Sequence, residues 1–565
     1  MAVEPKLYIQ MFSIHGLIRF SNLEMGRDAD TGGQIAYVTD LARHLSEISS
    51  VGRVDLVTRK VADRSVSDDY AHSVEALDDA CRIIRIQCGG RKYIRKELLW
   101  PHLDEFIDKT VKFIRRSGRI PDVFHGHYAD GGYVAMELAK FFGVPFLFTG
   151  HSLGRVKQQK LLKDGLKTVE IEKRYKIERR VSVEEEILSH ADLIVTSTRQ
   201  EIDEQYGMYE NGRLPAFKVI PPGLDTARFY PYYHDMLPEK EKPEAATFAR
   251  ASMLQELNRF FVQPDKPLIL ALCRPDKRKN ISGLIRAFGE DKALQAMANL
   301  AVFAGIRKDI ESMEDNERDV LTRMLLMMDK YDLYGKMAIP KRHDFDLEVP
   351  ELYRIAAEKN GVFVNPALTE PFGLTLLEAS ASGLPIVATN DGGPKDIIAN
   401  CKNGILVDPS RPSEIADAVK TIISDRERWD QFSKNGTLHV RDHYTWDSHA
   451  QSYIREIKRL QTRRKTADRP SVSSTVAIGR RLTRLNAFLI TDIDDTLIGG
   501  DESHLRDLLT FLNDHREKVG FGVATGRTVE SAVSHLKAFG IEIPDVVISS
   551  VGTEIYYGRK RHPSK

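Results

Sequence analysis

The sequence predicts an α/β protein made of parallel sheets: two doubly wound, Rossmann-like domains followed by a smaller third unit. Three observations carry this reading. Short β-rich runs recur between charged amphipathic segments, the alternation of strand and crossover helix that builds a parallel sheet covered on both faces. The alternation halts at a Pro- and Glu-rich stretch, YPYYHDMLPEKEKPEAA, restarts, and halts again in a basic stretch from residue 457. A chain of 565 residues, at ~150 per domain, has room for three or four separate cores.

In the first domain, residues 1–222, strands are read at KLYIQMF, RVDLVTR, PDVFHGH, VPFLFTG and ADLIVTS. In the second, 223–456, they are read at PLILALCRP, NLAVFAG, GVFVNPAL, LPIVATN and GILVDP. Residues 457–486, IKRLQTRRKTADRPSVSSTVAIGRRLTRLN, lack a sustained apolar period and read as a basic linker. A solvated tether is the simpler account of its charge, and an anionic partner the alternative. The third unit, 487–565, opens on the strand NAFLITDIDDT.

Composition narrows the function. Lys and Arg number 82 against 81 Asp and Glu, a net charge of +1, so no global field draws the chain to nucleic acid or to a membrane surface. No run reaches the ~18 to 20 apolar residues of a spanning helix, and MAVEPKLYIQ lacks the parts of a signal peptide. Cys81, Cys88, Cys273 and Cys401 lack metal-ligand spacing and are too few for a disulfide framework. A soluble, cytoplasmic protein with locally recognised partners is expected.

Candidate chemistry falls at strand ends, where two such domains are expected to form a ligand cleft. Asp30-Thr31-Gly32-Gly33-Gln34 opens a helix after the first strand, and its glycines would let helix-start amides approach an anion; an ordinary turn is the alternative. Glu370-Pro371-Phe372-Gly373-Leu374-Thr375, followed by Leu377-Glu378-Ala379, sets two carboxylates eight residues apart. A helix starting near Gly373 would leave Glu370 in the loop and carry Glu378 about one and a half turns inside. One acid can bind sugar hydroxyls and the other a ribose, while the amides of Gly373 to Thr375 face a diphosphate. Arg274 and Lys279, in CRPDKRKN after a strand, can neutralise phosphates and a departing nucleotide's charge.

On these residues the chain resembles the retaining glycosyltransferases of GT-B fold. The segments DTGGQIAYVTDLARHL, RVDLVTRKV, KYIRKELLWPHLDEF, HGHYADGGY, TGHSLGRVKQQKLL, YKIERRV, ADLIVTSTRQEI and VIPPG are similar to sucrose-phosphate synthases, over roughly residues 7–456. The resemblance implies transfer of glucose from UDP-glucose to fructose 6-phosphate with retention of the α configuration. It implies a donor site of Gly32, Gly33, Arg274, Lys279, Glu370, Phe372, Gly373, Leu374, Thr375 and Glu378. It implies an acceptor site of Gly33, Gln34, Lys96, Tyr128, Ser152, Lys157 and Arg180, with Lys96, Lys157 and Arg180 at the acceptor phosphate. By spacing alone, the charged stretch 157–187 reads as an exposed helix. His151, at the end of an apolar strand, is either a core histidine or, as the resemblance implies, a catalytic residue beside the transferred glucose. Asp130 of the same HGHYADGG segment is a further residue that could touch the acceptor.

The implied mechanism rests on positioning and electrostatics. The acceptor hydroxyl attacks from the leaving group's face, a departing phosphate oxygen takes its proton, Arg274 and Lys279 stabilise UDP, and Glu370 holds the glucose. A double displacement would need a carboxylate on the opposite sugar face. No metal or other cofactor is expected for transfer. Free fructose, as in sucrose synthases, is the nearest rival acceptor; the long N-terminal regulatory regions of sucrose synthases and plant relatives are not expected here. A synthase using another sugar nucleotide or acceptor phosphate is a further alternative; a phosphatase-centred reading would need the third unit to be active, and a non-enzymatic sugar-phosphate sensor would need a damaged donor site.

In the third unit, Asp492 and Asp494 of TDIDDT resemble the first motif of haloacid-dehalogenase phosphatases, Thr525 of GVATGR matches the second, and SSVGTEIYY is similar to sucrose-phosphate phosphatases. One carboxylate would attack phosphorus and the other protonate the leaving group, with Mg²⁺ balancing the charge. The later lysine, the acidic metal motif and the cap are not found, so a partial, vestigial domain without hydrolytic activity is expected, with Mg²⁺ there if anywhere. A separate sucrose-phosphate phosphatase is then a further candidate partner.

Overall fold

The computed structural model describes residues 6–23, 30–31, 33–236, 244–307, 309–311, 313, 315–467, 482, 485–557 and 560–561. The chain folds into two compact units. One comprises Met1–Val195, Gln205–Lys218 and Tyr453–Lys565; the other comprises Thr196–Glu204 and Val219–Ser452.

The first unit holds an eight-stranded sheet of β1 (Leu7–Phe12), β2 (Val51–Arg59), β3 (Val74–Ala76), β4 (Cys81–Ile86), β5 (Val123–His127), β6 (Phe146–Thr149), β7 (Leu193–Thr196) and β8 (Ala216–Val219), in the order β3-β4-β2-β1-β5-β6-β7-β8. β1 lies between β2 and β5 and pairs parallel with both, Ile9 opposite Val54 and Val123. β3 pairs antiparallel with β4. β3, β4 and β8 are strands beyond those read from sequence. VEA is only three residues long, and CRIIRI sets Arg82 and Arg85 among its apolar positions. Asp55 offsets the charge of Arg82 (Nε to Oδ1, 2.7 Å) and Glu75 that of Arg85.

The second unit carries a six-stranded, wholly parallel sheet: β9 (Leu268–Cys273), β10 (Asn299–Ala304), β11 (Met337–Ala338), β12 (Val362–Asn365), β13 (Ile386–Thr389) and β14 (Gly404–Val407), ordered β11-β10-β9-β12-β13-β14. Successive residues of a strand face opposite sides. In β9, Leu268, Leu270 and Leu272 enter one core with Phe303, Phe363 and Leu377, while Ile269 and Ala271 enter the other with Phe288, Leu300 and Val419. Burial on both faces is why this strand reads as an unbroken apolar run.

The helix Trp446–Ala467 corrects the start of the basic linker: residues 457–467 are helical. Trp446, Ala450, Tyr453, Ile454 and Ile457 supply its buried stripe, and only Ile457 of these falls past residue 456, too little to register as a period against the Lys and Arg around it. Most of the rest of that stretch lies outside the described residues. The C-terminal segment forms β15 (Ala487–Thr491), β16 (Val519–Ala524), β17 (Val546–Ser549), β18 (Glu554–Tyr557) and β19 (Lys560–Arg561) in sequential order, the first three parallel and the last two antiparallel.

Candidate active site

In the first unit, turns after β1, β5 and β6 deliver the polar groups. β5 ends at His127, and Tyr128 opens the helix Tyr128–Phe142 with a left-handed backbone, φ 64°. Its buried ring is the floor of a cation cluster: the Arg180 guanidinium stands 4.2 Å from the ring centroid and the Lys96 ammonium 5.9 Å. Lys157 completes the group. Its ammonium lies 4.1 Å from the Tyr175 ring centroid and 3.7 Å from Glu97. Burial, with the like charges of Lys96 and Arg180, pulls its pKa down to about 8 against the pull of Glu97. Three cations read from distant segments are thus gathered in space.

Each has a carboxylate. Lys96 donates to Asp30 Oδ1 at 2.6 Å, Arg180 Nε to Glu184 Oε1 at 2.9 Å, and Lys157 faces Glu97. Burial works to raise the Asp30 carboxyl, but the hydrogen bond and charge of Lys96 hold it below the usual range. The charges of the cluster therefore cancel, while each cation keeps donors for an incoming anion. Arg180 also donates to the backbone oxygen of Ser152, itself an exposed residue. The Lys157 stretch is three helices, Gly154–Lys163, Thr168–Tyr175 and Ile177–His190, and Arg180 is only 4% exposed, so the plain exposed-helix alternative fails there.

Gly33 is the first residue of the helix Gly33–Ser46 and faces open space; Gly32 lies outside the described residues. Gln34 donates to Ser13 Oγ at 3.0 Å. His151 holds φ at 53°, with Nε2 3.0 Å from His127 Nδ1 and the Tyr37 ring edge-on at 5.1 Å. Burial pushes its pKa down to about 3, so the ring is neutral. His15 and Asp130, both buried, are joined at 2.8 Å, His15 standing edge-on to Tyr128.

In the second unit, the loop after β12 and the turn after β9 converge. Glu370 Oε2 accepts from Lys279 Nζ at 2.5 Å and from Asn365 Nδ2 at 2.8 Å. Its backbone is bridged to Gly392, where a Cβ would lie 2.0 Å from the Glu370 carbonyl oxygen, so only glycine allows the approach. Phe372 packs on the core and Gly373 caps the helix Leu374–Ala381, leaving Leu374 and Thr375 in its first turn, where amides lack intrahelical acceptors. Glu378 is buried, not an ordinary surface residue. It accepts from the Tyr353 hydroxyl at 2.9 Å, and burial drives its pKa up to about 7. Arg274 is exposed near Asp276, whose carboxyl is pulled down to about 2, mainly by the hydrogen bond from Arg278. Glu97, Glu184, Asn365 and Tyr353 join these sites without having stood out in the sequence; only Glu184, four residues past Arg180 on one helix, carries a legible signal.

In the C-terminal segment, Arg527 grips the Asp494 carboxylate through Nε at 2.9 Å and Nη2 at 2.7 Å. Asp492 is exposed, and Thr525 Oγ1 accepts from the Arg527 amide at 3.2 Å. Among the described residues no third His, Cys, Asp or Glu ligand atom gathers with these two aspartates. With one carboxylate committed to a guanidinium, the set does not fit a Mg²⁺ site, whose ion wants a near-octahedral oxygen shell.

Two parallel α/β sheets with Glu370, Lys279 and Arg274 at strand ends are the architecture of the GT-B glycosyltransferases. Residues 255–439 match the family model of group 1 glycosyl transferases, 2–225 that of the sucrose synthase first GT-B domain, and 485–565 that of sucrose-6F-phosphate phosphohydrolase. The chain is similar to sucrose-phosphate synthases: sucrose-phosphate synthase 4 of Arabidopsis thaliana is 41% identical over 86% of this chain and 50% of its own, and that of Zea mays 43% identical over 83% and 49%. The chain thus spans about half the length of the curated relatives it matches. The solved sucrose-phosphate synthase of Thermosynechococcus elongatus is 26% identical, with TM-score 0.58 over 81% of this chain and all of that one. The catalytic domain of Arabidopsis thaliana starch synthase IV, 14% identical with TM-score 0.53, shares the fold. No helix among the described residues is long and apolar enough to cross a membrane.

Proposed function

We propose that this chain transfers glucose from UDP-glucose to fructose 6-phosphate with retention, giving sucrose 6-phosphate and UDP. The observation that carries the reading is the pairing of Lys96 and Arg180 over Tyr128 with Lys157 close enough to feel both charges, a cationic seat for a phosphorylated acceptor. The donor half rests on Glu370 held by Lys279 and Asn365, and on Glu378 buried against Tyr353. In the reaction, Glu370 binds the glucosyl hydroxyls, Glu378 the ribose, and Arg274, Lys279 and the amides after Gly373 take the growing diphosphate charge. Gly33 and Gln34 face the two sugars, and neutral His151 offers a hydrogen bond to the glucose without adding charge.

A departing phosphate oxygen takes the proton of the attacking hydroxyl, so transfer needs cationic side chains and no metal. The likeness of residues 2–225 to a sucrose synthase domain favours free fructose as the rival acceptor. The test is UDP release from UDP-glucose with fructose 6-phosphate or fructose, side by side. Strong preference for the phosphorylated sugar is expected, and preference for fructose overturns the reading. A cytoplasmic enzyme whose product passes to a separate sugar-phosphate phosphatase is the setting this reading implies.

A further inference from the structure

The segment ADLIVTSTRQEI resembles sucrose-phosphate synthases, yet nothing in the donor or acceptor reading uses its polar half. The chain leaves β7 at Thr196, and Thr196–Glu204 joins the second unit. There Gln200 is bonded on three sides. Its Oε1 accepts from the Gly392 amide at 2.8 Å, and its Nε2 donates to Asp391 Oδ1 at 2.8 Å and to Glu204 Oε2 at 2.8 Å. These partners fix the amide's orientation, since a backbone N–H can only donate and a carboxylate only accept. The Arg199 amide adds a bond to Asp396 at 3.1 Å.

What Gln200 holds is the back of the donor loop. The Asp391 carbonyl accepts from the Glu370 amide at 3.1 Å, the Gly393 amide donates to the Glu370 carbonyl at 2.9 Å, and Asp391 Oδ2 accepts from Thr369 Oγ1 at 2.8 Å. The Glu370 side chain, carrying Lys279 and Asn365, thus stands on a backbone pair whose other strand is clamped by one glutamine.

We propose that Gln200 is a positioning residue for the donor site: through Asp391 and Gly392 it sets the height of Glu370 and of the helix start at Gly373, and so the affinity for the UDP moiety and its sugar. The inference rests on the donor-site reading above. Gln200→Met keeps the length and removes all three hydrogen bonds. Gln200→Glu keeps the shape but sets a third carboxylate beside Asp391 and Glu204, and its protonated form restores the donor.

The test is calorimetric binding of UDP and of fructose 6-phosphate to each variant of the full chain, with Tm and the KM for UDP-glucose. Gln200→Met is expected to weaken UDP about tenfold, from the loss of two net hydrogen bonds to the loop, with fructose 6-phosphate binding and Tm near wild type. Gln200→Glu is expected to bind UDP as weakly as Gln200→Met at pH 8 and to recover toward wild type, measured at the same pH, near pH 5.5. UDP affinity unchanged in Gln200→Met, a parallel loss of both ligands, or no recovery of Gln200→Glu at low pH would overturn the proposal. Wild-type protein that binds no UDP would overturn the donor-site reading itself, and this inference with it.

Discussion

Lys279 Nζ sits 2.5 Å from Glu370 Oε2, joining the turn after β9 to the loop after β12. The ammonium neutralises a carboxylate that is 8% exposed, and Asn365 fills a second site on the same oxygen. A sugar hydroxyl arriving at Glu370 meets an acceptor already aimed and already paired, so its orientation costs little at the moment of binding.

Lys279→Met removes that charge from both the carboxylate and the departing diphosphate. UDP release under saturating substrates should fall about 100-fold or more, the scale of losing one preorganised electrostatic contact. Arg274→Ala should also lower turnover; an unchanged rate in either variant sinks the assigned roles.

Lys157 should give acceptor binding a pH signature. Its pKa is lowered to about 8, so the ammonium is charged below that value and neutral above it. Affinity for fructose 6-phosphate should therefore weaken as pH rises from 7 to 9. The change should vanish in Lys157→Met, measured by KM across the range.

Glu378 should make stability fall with pH. Its folded pKa of about 7 exceeds the ordinary 4.5, so between these values the native state binds more protons than the unfolded one, and unfolding becomes easier as pH rises through that window. Glu378→Gln, which can still meet the Tyr353 hydroxyl, should flatten the slope and raise stability at pH 8 by roughly 2 to 3 kcal/mol, while weakening UDP binding. Denaturant melts at pH 5 and pH 8 would show it.

Arg180→Ala should do more than lose a phosphate contact. Glu184, 1% exposed and left without its guanidinium, would be a buried uncompensated charge, at a cost of about 3 to 5 kcal/mol. Arg180→Lys should restore stability better than it restores fructose 6-phosphate affinity, since only Arg offers the planar fork.

The full chain should release no phosphate from sucrose 6-phosphate in Mg²⁺. Asp494 is held by Arg527 through two nitrogens, and phosphate release at a rate above background would show that the pair opens.

Much of this architecture is legible in the order of residues alone. The parallel sheets can be read because β9 and its neighbours are buried on both faces and so show as continuous apolar runs. Glu370 and Lys279 stand out because their chemistry is unusual beside strand ends, whereas Lys96 is found only through the family resemblance. The counter-charges are not legible: Asp30 and Lys96 are 66 residues apart, and Asn365 reads as a strand terminus until its amide is seen on Glu370. The helix past residue 456 escapes a reading by periodicity because Ile457 is its one buried apolar residue there among the described residues, within a run of Lys and Arg.

The two units are not consecutive stretches of sequence. Tyr453, fully buried, places its hydroxyl 2.9 Å from His125 Nδ1 and stacks on that ring, in the unit that begins at the N-terminus. A fragment ending at residue 222 would therefore lack part of its own interior, and one starting at 223 would lack Gln200. Neither half can be made faithfully by a single cut, and reassembly from two expressed pieces would have to return Tyr453 to His125 before the first sheet recovers its native packing.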